Sequence, residues 1–279
     1  MSLLEASAPA QRRDAGSIAD RFCVFVASSD RAHDIFEIVF QGSDTIWRGC
    51  DWPRFVSFTS QHPDIYGFKA LAAKSKSDWR GELGQQIDAL PANIEYVLLL
   101  VEDTLFMSPI DAAKLNAIAE RMLREKIAYV RLVRVWRTLP GRVVEYVRRK
   151  LSKDQLLRPL SFSEPYYSSV EFAIWRRDYL RELLRLPGSV WEFEHLVTEE
   201  RHYALWEDIV EQHQIVSRGK WNRNAPGLLA RRGLSLAGSP REFQTSQRFL
   251  RGLKERISFQ LFGFLPYRIR RLLNRLPKS

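Results

Sequence analysis

Cysteine is scarce in this chain of 279 residues: only Cys23 and Cys50 are present, with no CxxC pair and no Cys/His cluster at zinc spacing. Two cysteines build no disulfide framework, so a reducing compartment is expected, with both thiols serving as small apolar residues of the interior. A secretory leader is not expected either. The first nineteen residues carry Glu5, Arg12, Arg13 and Asp14 and no apolar h-region. The longest interior apolar stretch, around Val97–Val101, is far shorter than the ~20 residues that span a bilayer. Walker A, GxGxxG and GxSxG patterns are all missing, which disfavours kinases, dinucleotide oxidoreductases and α/β hydrolases. The five histidines, His33, His62, His195, His202 and His213, show no metal spacing, so structural or surface roles are expected for them. His195 and His202, seven apart, could share one helix face.

What is present looks globular and basic. Hydrophobic residues make up 45% and charged residues 27% of the chain, an ordinary globular balance. Against that, 43 Lys/Arg face 33 Asp/Glu, a net charge of +10 that implies an anionic partner. Nucleic acid, a membrane surface and a phosphorylated substrate all qualify.

Short apolar runs alternate with helical patterns. Arg21–Ala27, Arg54–Thr59, Ile94–Val101 and Ile127–Val135 read as strands, and Asp34–Phe40, Trp79–Leu90 and the stretch up to Lys126 as helices. Ser108 as N-cap, followed by Pro109 and Asp111, is the expected start of that last helix. Strand–helix alternation at this spacing predicts an α/β fold with a largely parallel sheet. Further on, Val143–Leu157 reads as a basic helix, Ser169–Trp175 as a strand, Asp178–Leu186 as a short helix and Trp191–Trp206 as helical. Trp221–Pro240 reads as a linker.

In open α/β sheets ligands bind at the carboxyl ends of strands. Asp30 follows the first strand and Glu102–Asp103 the central one. A carboxylate pair there can hold Mg²⁺ or Mn²⁺ bridging a diphosphate, or can simply end a strand in solvent. In the block WEFE, Glu192 and Glu194 are two apart and cannot line one pocket from a helix. One could act as a general base, or both could mark a helix start.

Four stretches, VFVASSDRAHDIF, EYVLLLVEDTLFMSPID, IAYVRLVRV and PYYSSVEFAIWRRDYLRELL with SVWEFEH, together resemble a bacterial family of GT-A-type glycosyltransferases of lipopolysaccharide and capsule synthesis. The resemblance covers about residues 21–205. It implies a GT-A-like, mostly parallel central sheet flanked by helices. It also implies transfer of a sugar from a nucleotide-sugar donor to a lipid-linked or oligosaccharide acceptor. By residue, it places Ser28, Asp30 and Glu102 at the nucleotide, Glu102 and Asp103 at a divalent cation (Mg or Mn), and Asp103 and Glu194 in catalysis. Where the family has a D-x-D pattern, this chain has Glu102–Asp103–Thr104.

From residue 241 onward ten Lys/Arg stand against two Glu, interleaved with apolar residues at helical spacing. Such a tail suits an anionic membrane surface, or packs its apolar face on the core. The expected organisation is a flexible extension over 1–20, a catalytic domain over 21–220, a linker over 221–240 and a basic amphipathic helical tail over 241–279. The expected location is cytoplasmic, peripheral to the inner membrane. Nucleic-acid binding and a non-catalytic scaffold are the rival readings, and the lack of RNP, helix-turn-helix and zinc-finger patterns disfavours nucleic acid.

Overall fold

The computed structural model describes residues 17–72, 78–133, 139–162, 164 and 166–245. Ile18–Arg21 (α1) leads into Phe22–Ala27 (β1), His33–Phe40 (α2), Ser43–Ile46 (α3), Arg54–Phe58 (β2), Lys69–Ala72 (β3), Trp79–Asp88 (α4) and Tyr96–Val101 (β4). Next come Thr104–Phe106 (β5), Ala112–Glu125 (α5), Tyr129–Arg131 (β6), Leu139–Leu151 (α6), Leu157–Pro159 (β7), Ala173–Arg176 (β8), Arg177–Leu184 (α7) and Val190–Glu194 (α8). Tyr203–Leu205 (β9), Gln212–Gln214 (β10), Val216–Ser217 (β11), Lys220–Trp221 (β12) and Ala225–Arg231 (α9) follow.

Eight strands form one sheet in the order β3-β2-β1-β4-β8-β6-β9-β7. The block β3-β2-β1-β4 is parallel throughout, and β6 and β9 are parallel to each other. β8 runs antiparallel to both its neighbours, and β7 closes the edge antiparallel to β9. The fold is therefore α/β, with the expected mostly parallel central sheet flanked by helices: six of its eight strands share one direction, and β8 and β7 run against them. An apolar run such as Ala173–Trp175 reads the same in either direction, which is why pattern alone missed the reversal.

Alternate residues of the central strands feed two cores. Phe22, Val24, Val26, Leu98 and Leu100 pack with residues of α2, α5 and α9, among them Phe36, Leu115, Ile118 and Leu229. On the opposite face Cys23, Phe25, Val97 and Leu99 pack with Leu83 and Ile87 of α4, Leu180 and Leu183 of α7, and Phe193 of α8. Coverage on both faces is the reason Tyr96–Val101 is uninterruptedly apolar.

Several local expectations shift. The N-cap of α5 is Asp111, whose side chain accepts from the Lys114 amide at 2.9 Å. Ser108 cannot serve, because the Ile110 and Asp111 amides are bonded to the Ile46 and Ile209 carbonyls, at 3.0 and 3.1 Å. Trp191–Trp206 is not one helix. α8 stops at Glu194 because the Ser168 amide takes the Glu194 carbonyl (3.1 Å), and Tyr203–Leu205 joins the sheet beside β6. His195 and His202 thus share no helix face. The segment Trp221–Pro240 holds β12's end and α9, and buries Trp221, Ala225 and Leu229 in the first core. The basic helix lies at Leu139–Leu151, and β7 begins at Leu157, the last residue expected in it. Of the tail, residues 246–279 lie outside the described residues, as do 1–16 of the extension. Among the described residues no helix is long and apolar enough to cross a membrane.

Candidate functional site

The chain lays down β1, moves outward to β2 and β3, then returns to the other side of β1 with β4. Such a reversal opens a crevice at the carboxyl ends of the two strands. The register pairs Ala27 with Val101, so β1 and β4 end level, and Ser28 and Glu102 leave the sheet side by side. A cavity of about 260 Å³ lies there, lined by Ser28, Trp79, Gln86, Glu102, Val170 and Val190 among others. Ser28 is buried and its Oγ has no hydrogen-bond partner, and neither has the buried Trp79 Nε1.

Glu102 and Asp103 form the turn after β4. Burial is the main cause that pushes the Glu102 carboxyl up to about 7, with the Asp103 charge adding to it and Arg241 opposing it. Burial also lifts Asp103 to about 6, against a hydrogen bond from Gln214. That bond, from Gln214 Nε2 to Asp103 Oδ2, measures 3.1 Å, while Asp103 Oδ1 is buried without a partner. At neutral pH the pair is poised near its titration point, so a nearby cation would favour its charged form.

Sequence reasoning missed Glu171. It lies just before β8, pushed up to about 7 first by burial and then by the charges of Asp103 and Glu194. Phe172 beside it is buried at φ 44°, a left-handed conformation that costs a bulky residue strain. The one available signal was an acid directly preceding an apolar strand, a pattern too common to single out.

Glu194 and Glu192 part company on α8, as their two-residue offset requires. Glu192 forms a capping box with Ser189 and stays exposed. Glu194 is buried, and burial raises its pKa against hydrogen bonds from Ser169 and Val170. Ser169 Oγ donates to Glu194 Oε1 at 3.3 Å and accepts the Glu171 amide at 3.2 Å. The segment Ser169–Glu171 thus joins Glu194 to the cavity wall at Val170. Behind it, the buried guanidinium of Arg131 donates to the Tyr166 carbonyl (2.8 Å), and Arg158 meets Glu164 through two hydrogen bonds, at 2.7 and 3.0 Å.

Asp30 lies in the turn after β1. Its Oδ1 accepts the Thr59 and Ser60 amides at 2.9 and 3.1 Å and meets His62 Nε2 at 3.3 Å. Burial opposes its ionisation, but the Ser60 and Thr59 hydrogen bonds outweigh it and hold the carboxyl down at about 2. In this geometry Asp30 ties the loops after β1 and β2 together. Nearby, Arg241 grips Asp34 through Nε (2.9 and 3.0 Å) and Nη2 (2.8 Å) and also donates to the Arg31 carbonyl.

His202 is fully buried away from this crevice. Nδ1 faces the Tyr167 carbonyl at 3.0 Å and Nε2 the Tyr179 hydroxyl at 2.8 Å. The carbonyl fixes the proton on Nδ1, so Nε2 accepts from Tyr179. Burial is the main cause that pulls its pKa down to about 4. The Tyr129 hydroxyl donates to the Ser169 carbonyl at 3.3 Å, linking this cluster to the segment that holds Glu194.

Among the described residues no three His, Cys, Asp or Glu side chains converge as a metal cage. Glu102 and Asp103 still suit a hard divalent cation. They are paired oxygen donors, one buried oxygen has no partner, and Mg²⁺ commonly takes one or two carboxylates plus substrate phosphates and water.

No known family model matches the chain, and no curated protein is similar to it. Several solved structures are distantly similar, among them the following three. TarS residues 1–349 from S. aureus share 13% identity at a TM-score of 0.43, over 68% of this chain and 59% of that one. The mannosyltransferase PcManGT from Pyrobaculum calidifontis, in complex with GDP-Man and Mn²⁺, shares 15% identity at a TM-score of 0.45, over 71% and 58%. A cytidylyltransferase from Leptospira borgpetersenii shares 11% at 0.37, over 63% and 68%. This chain therefore spans about three-fifths of the first two. At these TM-scores the likeness carries no functional argument, which rests on the site.

Proposed function

We propose that the crevice transfers a sugar from a nucleotide-sugar donor to a lipid-linked or oligosaccharide acceptor, the chemistry of a surface-polysaccharide glycosyltransferase of GT-A type. One observation carries the reading: Glu102 and Asp103, both with raised proton affinity, stand at the carboxyl end of β4 beside unpartnered Ser28, where the strand order reverses. Half-buried acids kept near their titration point mark a place where a ligand completes the electrostatics.

In this reading Ser28 and the Asp30 turn hold the nucleotide. Glu102 and Asp103 would hold Mg²⁺ or Mn²⁺, which supplies stabilisation of the charge on the departing diphosphate. Glu194, made more basic by burial, takes the proton of the acceptor hydroxyl as that oxygen replaces the diphosphate at the anomeric carbon. The basic tail over 241–279 keeps the protein at the cytoplasmic face of an anionic membrane, near its acceptor.

A thermal-shift panel of UDP-, GDP-, CMP- and dTDP-sugars, each with Mg²⁺ or Mn²⁺, tests the reading. A matching donor at a hundredfold excess over its Kd stabilises by about 2.7 kcal/mol. Stabilisation by heparin-like polyanions alone would favour a nucleic-acid-binding protein instead. Release of pyrophosphate from a nucleoside triphosphate would reassign the crevice to nucleotidyl transfer.

A further inference from the structure

Over its last seven residues helix α6 is amphipathic the wrong way round. A surface helix normally turns its apolar stripe to the core and its charges to water. Over residues 145–151 the arrangement is inverted. Glu145 and Arg149 face the body of the protein, paired with Arg158 (3.2 Å) and with Glu207. Tyr146, Val147 and Leu151 point outward, 60%, 48% and 81% exposed. Positions 146, 147, 150 and 151 lie on one side of a helix, so these apolar groups form one continuous face. Exposed cations accompany them: Arg148, Lys150 over the Tyr146 ring at 5.6 Å, and Lys153 just beyond the helix. Asp154 is engaged with Arg121, and Glu207 with Arg149 and Lys114, so neither neutralises the face.

We propose that this face of α6 docks on an anionic lipid surface, separately from whatever the basic tail does and independently of the donor chemistry. Charge complementarity selects the occupant. The chain's own residues 246–279 carry nine Lys/Arg against one Glu and would be repelled by Arg148, Lys150 and Lys153. A nucleic acid would satisfy the cations and leave Val147 and Leu151 in water. A bilayer interface takes both, with the apolar groups at the headgroup–acyl boundary and the cations among the anionic headgroups.

The test is co-sedimentation of the full chain with phosphatidylcholine vesicles, with and without phosphatidylglycerol, at low and high salt. The wild type should pellet only with anionic vesicles and less at high salt. At about fivefold in partitioning per charge, Lys150→Glu with Lys153→Glu should weaken binding at least ~25-fold, and Leu151→Asp about tenfold, with thermal stability unchanged. A polarity-sensitive dye on Leu151→Cys, in a Cys50→Ser background, should shift to the blue on adding anionic vesicles. Three results would each overturn the proposal: wild-type binding by the charge and Leu151 variants, an unshifted dye, or no pelleting at low salt. Retention on RNA without vesicle binding, or a dimer that Leu151→Asp dissolves, would assign the face to another partner and equally overturn it.

Discussion

Around His202 the histidine and the hydroxyls of Tyr129, Tyr167 and Tyr179 all have hydrogen-bond partners, with the unpartnered indole nitrogen of Trp175 packed among them, whereas at the carboxyl ends of β1 and β4 the side chains of Ser28, Trp79 and Asp103 each keep a buried atom without one. Both regions are buried and polar, and they are joined through Ser169. The contrast separates a histidine and hydroxyls that are paired as folded from side chains that folding leaves unfinished. A satisfied network rigidifies; an unsatisfied one costs free energy that a ligand can recover.

Breaking the unfinished side should show in activity. Glu194→Gln should lose roughly 10²–10⁴ in kcat while donor affinity stays near wild type. Equal defects in donor hydrolysis and transfer, with weakened donor binding, would make Glu194 structural. Asp103→Asn should lower turnover about 10²–10³-fold with the fold intact by circular dichroism. Wild-type rates in that variant would remove Asp103 from the site.

Breaking the finished side should show in stability. Because the folded-state pKa of His202 is about 4, below its ordinary 6.5, the unfolded chain binds the extra proton between these values. The contribution of His202 is therefore full above pH 6.5 and lost as pH falls toward 4, a change of about 3 kcal/mol. His202→Ala should cost about 3 kcal/mol at pH 7 and markedly less at pH 4.5, read by urea denaturation at both values. A gap that does not narrow would contradict the neutral, donor–acceptor role of the ring.

The smallest effect sharpens the contrast by its opposite sign. Glu171 has a raised folded pKa, about 7, so its contribution is present below the ordinary carboxylate pKa and lost as pH rises through 7. Glu171→Gln should accordingly raise stability by about 1–2 kcal/mol at pH 8 and by little at pH 5. A variant that unfolds more easily at pH 8 would show that the carboxylate is not strained there.

The parallel half of the molecule was legible from sequence because double burial writes itself as unbroken apolar runs, as in Phe22–Ala27 and Tyr96–Val101. The acids at their ends followed from topology. What sequence hid is non-local. The reversed β8 depends on partners far along the chain, and Glu171 on charges brought by two other segments. Glycine- and arginine-rich composition at Trp221–Pro240 masked a helix whose buried residues are only Ala225, Leu228 and Leu229. His202 falls inside a long helical pattern because nothing local announces that α8 ends at Glu194.

The grip of Arg241 on Asp34 decides where this chain can be shortened or joined to another protein. A version ending at residue 240 would strip Asp34 of its guanidinium, free the Arg31 carbonyl and withdraw the positive charge that opposes the raised pKa of Glu102. It would also break the pairing of Trp221 with Glu242 and Gln244, at 2.9 Å each. An end placed after residue 245 keeps all of these contacts. A tail removed there reports on the tail alone, whereas one removed at 240 also disturbs the crevice.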